Sequence, residues 1–313
     1  MGAAQPESAP QHLDLRVSQA PVSMRADSAT VKDASGAKAK CNVYNRYYLC
    51  QQMDITVHVL KNGKEVGSVS FGVTHKMNLK QTSPKWSESV QFSKAKIVGN
   101  ARGVLMTPRV SCGNPCKATP KIPKRTLGAA FSGSVDYADA IRKGKSHGTA
   151  SKYEYTFTKA GYTPGNVSYD SLNYRCDDTF SSQQRPGCVF PKYTPTLTAM
   201  KDLPTIAKHI RSVQNRGGHY GRYGSGHPLH RLTDKKKAEA NRRAVCGKMK
   251  PGKGKSCDEY PFARTHEGGT KLPKASRGVA AVPRGEQNQQ GGMLTAFNLK
   301  QRVMEREAFW VSV

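Results

Sequence analysis

Three carboxylates and a cysteine stand close together in a strongly basic stretch of this chain: Cys257-Asp258-Glu259-Tyr260-Pro261-Phe262-Ala263, followed by Glu267-Gly268-Gly269. Acids kept together among cations can hold a hard divalent cation, which takes oxygen ligands from one or two carboxylates and from substrate phosphates. Phosphodiester hydrolysis is the chemistry such a centre would perform. The plainer reading is that each acid pairs with one of the many cations nearby. A second group with ligand chemistry is Glu286-Gln287-Asn288-Gln289-Gln290-Gly291-Gly292. There Asn288, placed before a helix, would either cap it or offer an amide oxygen beside the strand acids.

The elements that must position these residues lie in the last third of the chain. Ile206, Ile210 and Val213 form one stripe of a helix over Leu203–Arg216, stopped by Gly217-Gly218. A second helix is expected over Asp234–Cys246, capped by Thr233 or Asp234. Strands are expected at Glu259–Arg264 and Val279–Val282, a helix at Met293–Val303, and a closing apolar strand at Ala308–Val313. On a strand Asp258 and Glu259 point to opposite faces; with Asp258 facing the site, Glu259 would face away. Between the first two helices lies His219-Tyr220-Gly221-Arg222-Tyr223-Gly224-Ser225-Gly226-His227. This loop reads either as a linker or as a nucleic-acid contact.

Upstream the pattern differs. Asp54–Leu60 alternates, Asn62-Gly63 is a hairpin signal, and Val66, Val69, Phe71 and Val73 continue beyond it. Further strand-like runs at Ser87–Phe92, Gly103–Val110 and Tyr153–Thr158 predict a small antiparallel sandwich over residues 39–190. Residues 1–38, rich in Ala, Ser, Pro and Gln, read as a loosely ordered arm, with Met1-Gly2 as a start added to a mature chain beginning near Ala3.

The 313 residues carry 50 Lys+Arg against 22 Asp+Glu, a formal charge of +28, which calls for a polyanionic partner. Mean hydropathy is −0.64, and no run of eighteen apolar residues is present to span a membrane. Eight cysteines fall as close pairs: Cys41 with Cys50, Cys112 with Cys116, Cys176 with Cys188, Cys246 with Cys257. Nearest-neighbour disulfides need the least rearrangement of the chain, and zinc lacks its usual Cys-x-x-Cys or His-x₃₋₅-His spacing. Disulfides imply an oxidising, extracellular compartment.

Leu229-His230-Arg231-Leu232-Thr233-Asp234, Asn241-Arg242-Arg243-Ala244-Val245-Cys246, the Cys257–Ala263 run, Glu267-Gly268-Gly269 and Asn288-x-x-Gly291 occur in this order. Together they resemble the NucA/NucB-type extracellular deoxyribonucleases over residues 195–313. The resemblance implies a ββα-metal nuclease, with one divalent cation, Mg²⁺ or Mn²⁺, between a β-hairpin and a helix; with the β-rich N-terminal domain read from the strand pattern, the whole chain is expected to be α+β. Carried over, Asp258 is the general base with Glu259 as second choice, and Glu267 and Asn288 lie on the metal side. His266 is a substitute base, a phosphate contact or a surface histidine, the last being favoured. Arg231, Arg242, Arg243 and Arg264 are the phosphate contacts; for Arg242 and Arg243 the alternative is a solvated helix face. The implied substrate is DNA, held through its backbone without sequence preference, and DNA over RNA rests on the resemblance alone. The rival readings are a cationic DNA- or cell-surface-binding protein with an inactive nuclease-like domain, and a nuclease toxin with a delivery domain and a neutralising immunity protein.

Overall fold

The computed structural model describes residues 12–20, 24–26, 41–180 and 185–313. They form two compact units, one ending at Phe190 and the other spanning Pro191–Val313.

The first unit is built around the hairpin Tyr48–Lys61 and Lys64–Asn78. Asn62 and Gly63 carry φ of 51° and 76°, the left-handed pair that a two-residue turn needs to match strand twist. Ile55 pairs with Phe71 and Val57 with Val69, and this alternation turns a continuous apolar face inward. These strands belong to a nine-stranded sheet. Facing it is a four-stranded sheet whose Tyr153 and Phe157 meet His75 and Phe71 with ring centroids 4.0 and 6.1 Å apart. The fully buried His75 and Glu88 sit in this core, where Glu88 accepts from Tyr137 and Tyr153 at 2.7 and 2.9 Å. Cys41–Cys50, Cys112–Cys116 and Cys176–Cys188 are disulfides.

The expected arm needs correcting over Leu13–Gln19, which is a strand paired antiparallel to the hairpin's first strand. Leu13, Leu15 and Val17 alternate, and Leu15 is buried; a composition rich in Ala and Ser obscured that short period. The Met1-Gly2 start and most of the remaining arm lie outside the described residues.

The second unit contains β1 (Thr196–Leu197), α1 (Pro204–Gln214), β2 (Leu229–His230), α2 (Lys235–Cys246), β3 (Lys255–Tyr260), β4 (Gly278–Pro283), α3 (Arg284–Lys300) and β5 (Ala308–Val311). β5 pairs parallel with β1 and antiparallel with β2, while β3 and β4 form a separate antiparallel pair. Ile206, Ile210 and Val213 of α1 join Tyr260, Phe262, Val282, Leu294 and Phe309 in one core. Pro204 opens α1, and Glu286 of α3 accepts from the Thr205 and Ile206 amides, both at 3.0 Å. An acid there satisfies orphan amides and favours the positive helix end. α2 is capped by Asp234, which accepts from the Lys237 amide at 3.1 Å.

Two boundaries differ from expectation. The strand expected over Glu259–Arg264 lies at Lys255–Tyr260, because Pro261 has no amide to continue the ladder. The helix expected from Met293 starts at Arg284 and passes through Gly291-Gly292. Asn288 is therefore inside α3 rather than in a loop before it.

Candidate active site

β3 turns alternate side chains to its two faces, and helices cover both. Asp258 is 0% exposed and Glu259 7%. On one face α1 and α3 close over Asp258: His209 Nδ1 lies 2.6 Å from Oδ2, and Gln290 Nε2 donates to Oδ1 at 2.8 Å. On the other face α2 brings Arg242, whose Nη1 donates to Glu259 Oε2 at 2.6 Å and whose Nη2 donates to the Cys257 carbonyl at 2.7 Å. The Cys246–Cys257 disulfide ties the end of α2 to the middle of β3.

Glu259 lines a cleft of about 270 Å³ with Lys235, Arg242, Arg264 and Gln287. Its pKa is pushed up to about 7. Burial is the main cause; the neighbouring Arg242 pulls it down and the charge of Asp258 adds to the rise. A carboxylate poised near neutrality in a cleft is a usual signature of proton-transfer chemistry. Gln287 donates through Nε2 to Gln290 Oε1 at 3.1 Å, yet its own Oε1 is buried without a hydrogen-bond donor. Such an orphaned acceptor is uncommon and costs the fold. A carboxylate and an unengaged amide oxygen on one cleft form a hard-oxygen donor set, which suits a divalent cation completed by water and phosphate. Cys246, Cys257 and Glu259 also bring ligand atoms within 4.8 Å of one another, but both sulfurs are spent in the disulfide.

The two adjacent acids of β3 have different surroundings. Asp258 does not face open space, because His209 and Gln290 seal it; Glu259 faces the cleft. Asn288 is exposed on α3 and does not line the cleft, since one residue along a helix turns the side chain about 100° from Gln287. Glu267 also lies apart from the cleft lining: its carboxylate accepts from the His230 amide at 2.9 Å and meets His230 Nδ1 at 2.6 Å. His266 meets Glu305 at 2.7 Å. Among the arginines, Arg242 and Arg264 line the cleft. Arg243 is exposed and lies 3.9 Å from Glu239 along the helix. Arg231 is part-buried and donates to the Val303 carbonyl, so its place is structural.

His209, Gln287 and Gln290 were missed. The sequence did hold a sign of His209, three residues after Ile206 on the apolar stripe of α1, where a histidine needs a polar partner. Gln287 and Gln290 are three apart and share a helix face, but uncertain helix bounds hid that relation.

No curated protein matches the chain. The four disulfides fit an oxidising compartment, and among the described residues no helix is long and apolar enough to cross a membrane. Residues 216–312, which include Arg242, Asp258, Glu259 and Gln287 and lie within the C-terminal unit, match the family model described as deoxyribonuclease NucA/NucB.

Proposed function

We propose that the C-terminal unit is a metal-dependent endodeoxyribonuclease of ββα-metal type, acting outside the cell on DNA without sequence preference, with β3, β4 and α3 as its ββα element. The observation that carries this reading is Glu259: a buried carboxylate with pKa near 7, clamped by Arg242 and facing a basic cleft inside the family-matched span.

The free Oε1 of Gln287 on the same cleft is the group that would contact a divalent cation, with water and substrate phosphate completing its shell. When bound, the cation neutralises charge on the phosphate and acidifies water. Arg242 fixes the Glu259 carboxylate through Oε2, leaving Oε1 to take the proton of an attacking water. Arg264 and Lys235 line the same cleft and supply positive charge for non-bridging phosphate oxygens, a contact that is indifferent to base sequence and weakened by salt. The walls formed by Ala238, Phe262 and Leu294 limit bulk water around the proton transfer.

Purified protein is expected to nick and then degrade supercoiled plasmid in Mg²⁺ or Mn²⁺, and to stop when a chelator is added. Intact plasmid in every metal, with a gel shift that chelator leaves unchanged, would overturn the assignment in favour of a binding protein.

A further inference from the structure

The loop between α1 and β2 is a built structure. Glycines 217, 221, 224 and 226 all carry positive φ, and hydrogen bonds close the loop, the Gly221 amide donating to the His227 carbonyl at 2.7 Å and the Ser225 amide to the Arg222 carbonyl at 3.1 Å. Gly221 is seated against Tyr260: a side chain there would meet the Tyr260 hydroxyl at 2.1 Å, and that hydroxyl donates to the Tyr220 carbonyl at 3.0 Å. The Val311 amide donates to the Gly221 carbonyl at 2.7 Å, so the loop is anchored to β5 as well as to β3. A loop held this firmly presents its outward side chains at low entropic cost.

Those side chains are aromatic and cationic. Tyr223 is 62% exposed. On β5 Phe309 and Val311 are buried, so Trp310 between them turns outward. Tyr223 and Trp310 meet edge to face with ring centroids 6.0 Å apart at 72°, Tyr223 being the exposed ring of the pair and Trp310 half-buried. Next to them Arg222 is exposed, and its guanidinium has no hydrogen bond or ion pair among the described residues. His227 stacks on Tyr220 at 5.0 Å. Residues 203–233 contain no Asp or Glu, while Lys208, Arg211, Arg216, Arg222 and Arg231 fall within them. The residues lining the cleft include none from the loop 219–227 or from β5, so this surface is separate from the cleft.

We infer that Tyr223 and Trp310 form a stacking platform for unpaired nucleobases, with Arg222 holding the adjoining phosphate: an exosite for single-stranded nucleic acid. Base-to-aromatic stacking tolerates any sequence because every base has a π face, and a cation beside the rings follows the backbone. The inference rests on the reading of the C-terminal unit as a nuclease, to which it adds a means of retaining strands as the duplex opens.

The chain has two tryptophans, Trp86 and Trp310, and Trp86 is only 3% exposed, so added ligand reports through Trp310. The full chain is titrated in chelator with a twelve-residue oligothymidylate, and separately with inorganic polyphosphate of equal charge. Saturable quenching by the oligonucleotide alone is expected. Tyr223→Ala should weaken it by roughly fivefold to a hundredfold, and Arg222→Ala should lower its salt slope by about one phosphate contact. Equal quenching by polyphosphate, no quenching, or an unchanged affinity of Tyr223→Ala would overturn the exosite. Plasmid cleavage in Mg²⁺ is read in parallel: cleavage without oligonucleotide quenching removes the exosite and leaves the nuclease, whereas quenching without cleavage removes the nuclease and leaves the exosite.

Discussion

Glu259→Gln is expected to lower plasmid cleavage by about 10²–10⁴-fold, the range for loss of a positioned general base, while the protein still unfolds cooperatively. Glutamine keeps the volume and a hydrogen-bond acceptor for Arg242, so the α2–β3 contact persists and only proton acceptance is lost. The pH profile carries the same assignment. Because the Glu259 pKa is raised to about 7, the ionised form that accepts a proton is scarce in acid and grows as pH rises. kcat/KM should then climb about tenfold per pH unit up to roughly 7 and level off above it. Stability runs the other way: an acid whose folded pKa exceeds its unfolded value contributes stability below the unfolded value, and loses it as pH rises through about 7. A rate profile that stays flat between pH 5 and 8, or wild-type cleavage by Glu259→Gln, would remove Glu259 from the proton-transfer role.

Asp258→Ala is expected to destabilise the C-terminal unit by about 3–5 kcal/mol, as measured by urea unfolding, since removing one member of a buried polar pair strands the other. His209 Nδ1 and Gln290 Nε2 would each lose the Asp258 carboxylate in a buried site, and His209 Nε2 already lacks a hydrogen bond. Cleavage would fall through loss of fold. The conservative Asp258→Asn separates fold from chemistry: it should retain part of the activity in proportion to the fraction folded. A fully folded Asp258→Asn that cannot cleave would return the base to Asp258.

These two variants also mark where the sequence was informative. The alternation of a strand was enough to say that Asp258 and Glu259 face opposite ways, because period two follows from the backbone alone. Which face is open depends on what covers it, and that is decided by α1 and α2, segments some fifteen to fifty residues away in the chain. Local signals read well for the same reason: the Asn62-Gly63 turn, the Asp234 cap and the four short-range cysteine pairs each depend on neighbours in sequence. Gly291-Gly292 misled because two glycines weaken a helix by about 1 kcal/mol each, a cost that packing of Leu294 and the Glu286 cap on α1 offsets. Asn288 therefore lies inside α3, one residue from the glutamine that lines the cleft.

The Glu286 clasp on α1 bears on how much chain the C-terminal unit needs. The family match begins at residue 216, yet α1 ends at Gln214 and supplies His209 to Asp258 and three residues to the shared core. A chain beginning at Arg216 would expose Tyr260, Val282 and Leu294 and should be insoluble, or lack cooperative unfolding by circular dichroism. One beginning at Pro191 should fold. The matched span is thus shorter than the cooperative unit, and any fragment cut at the family boundary would leave out a helix that the shared core cannot spare.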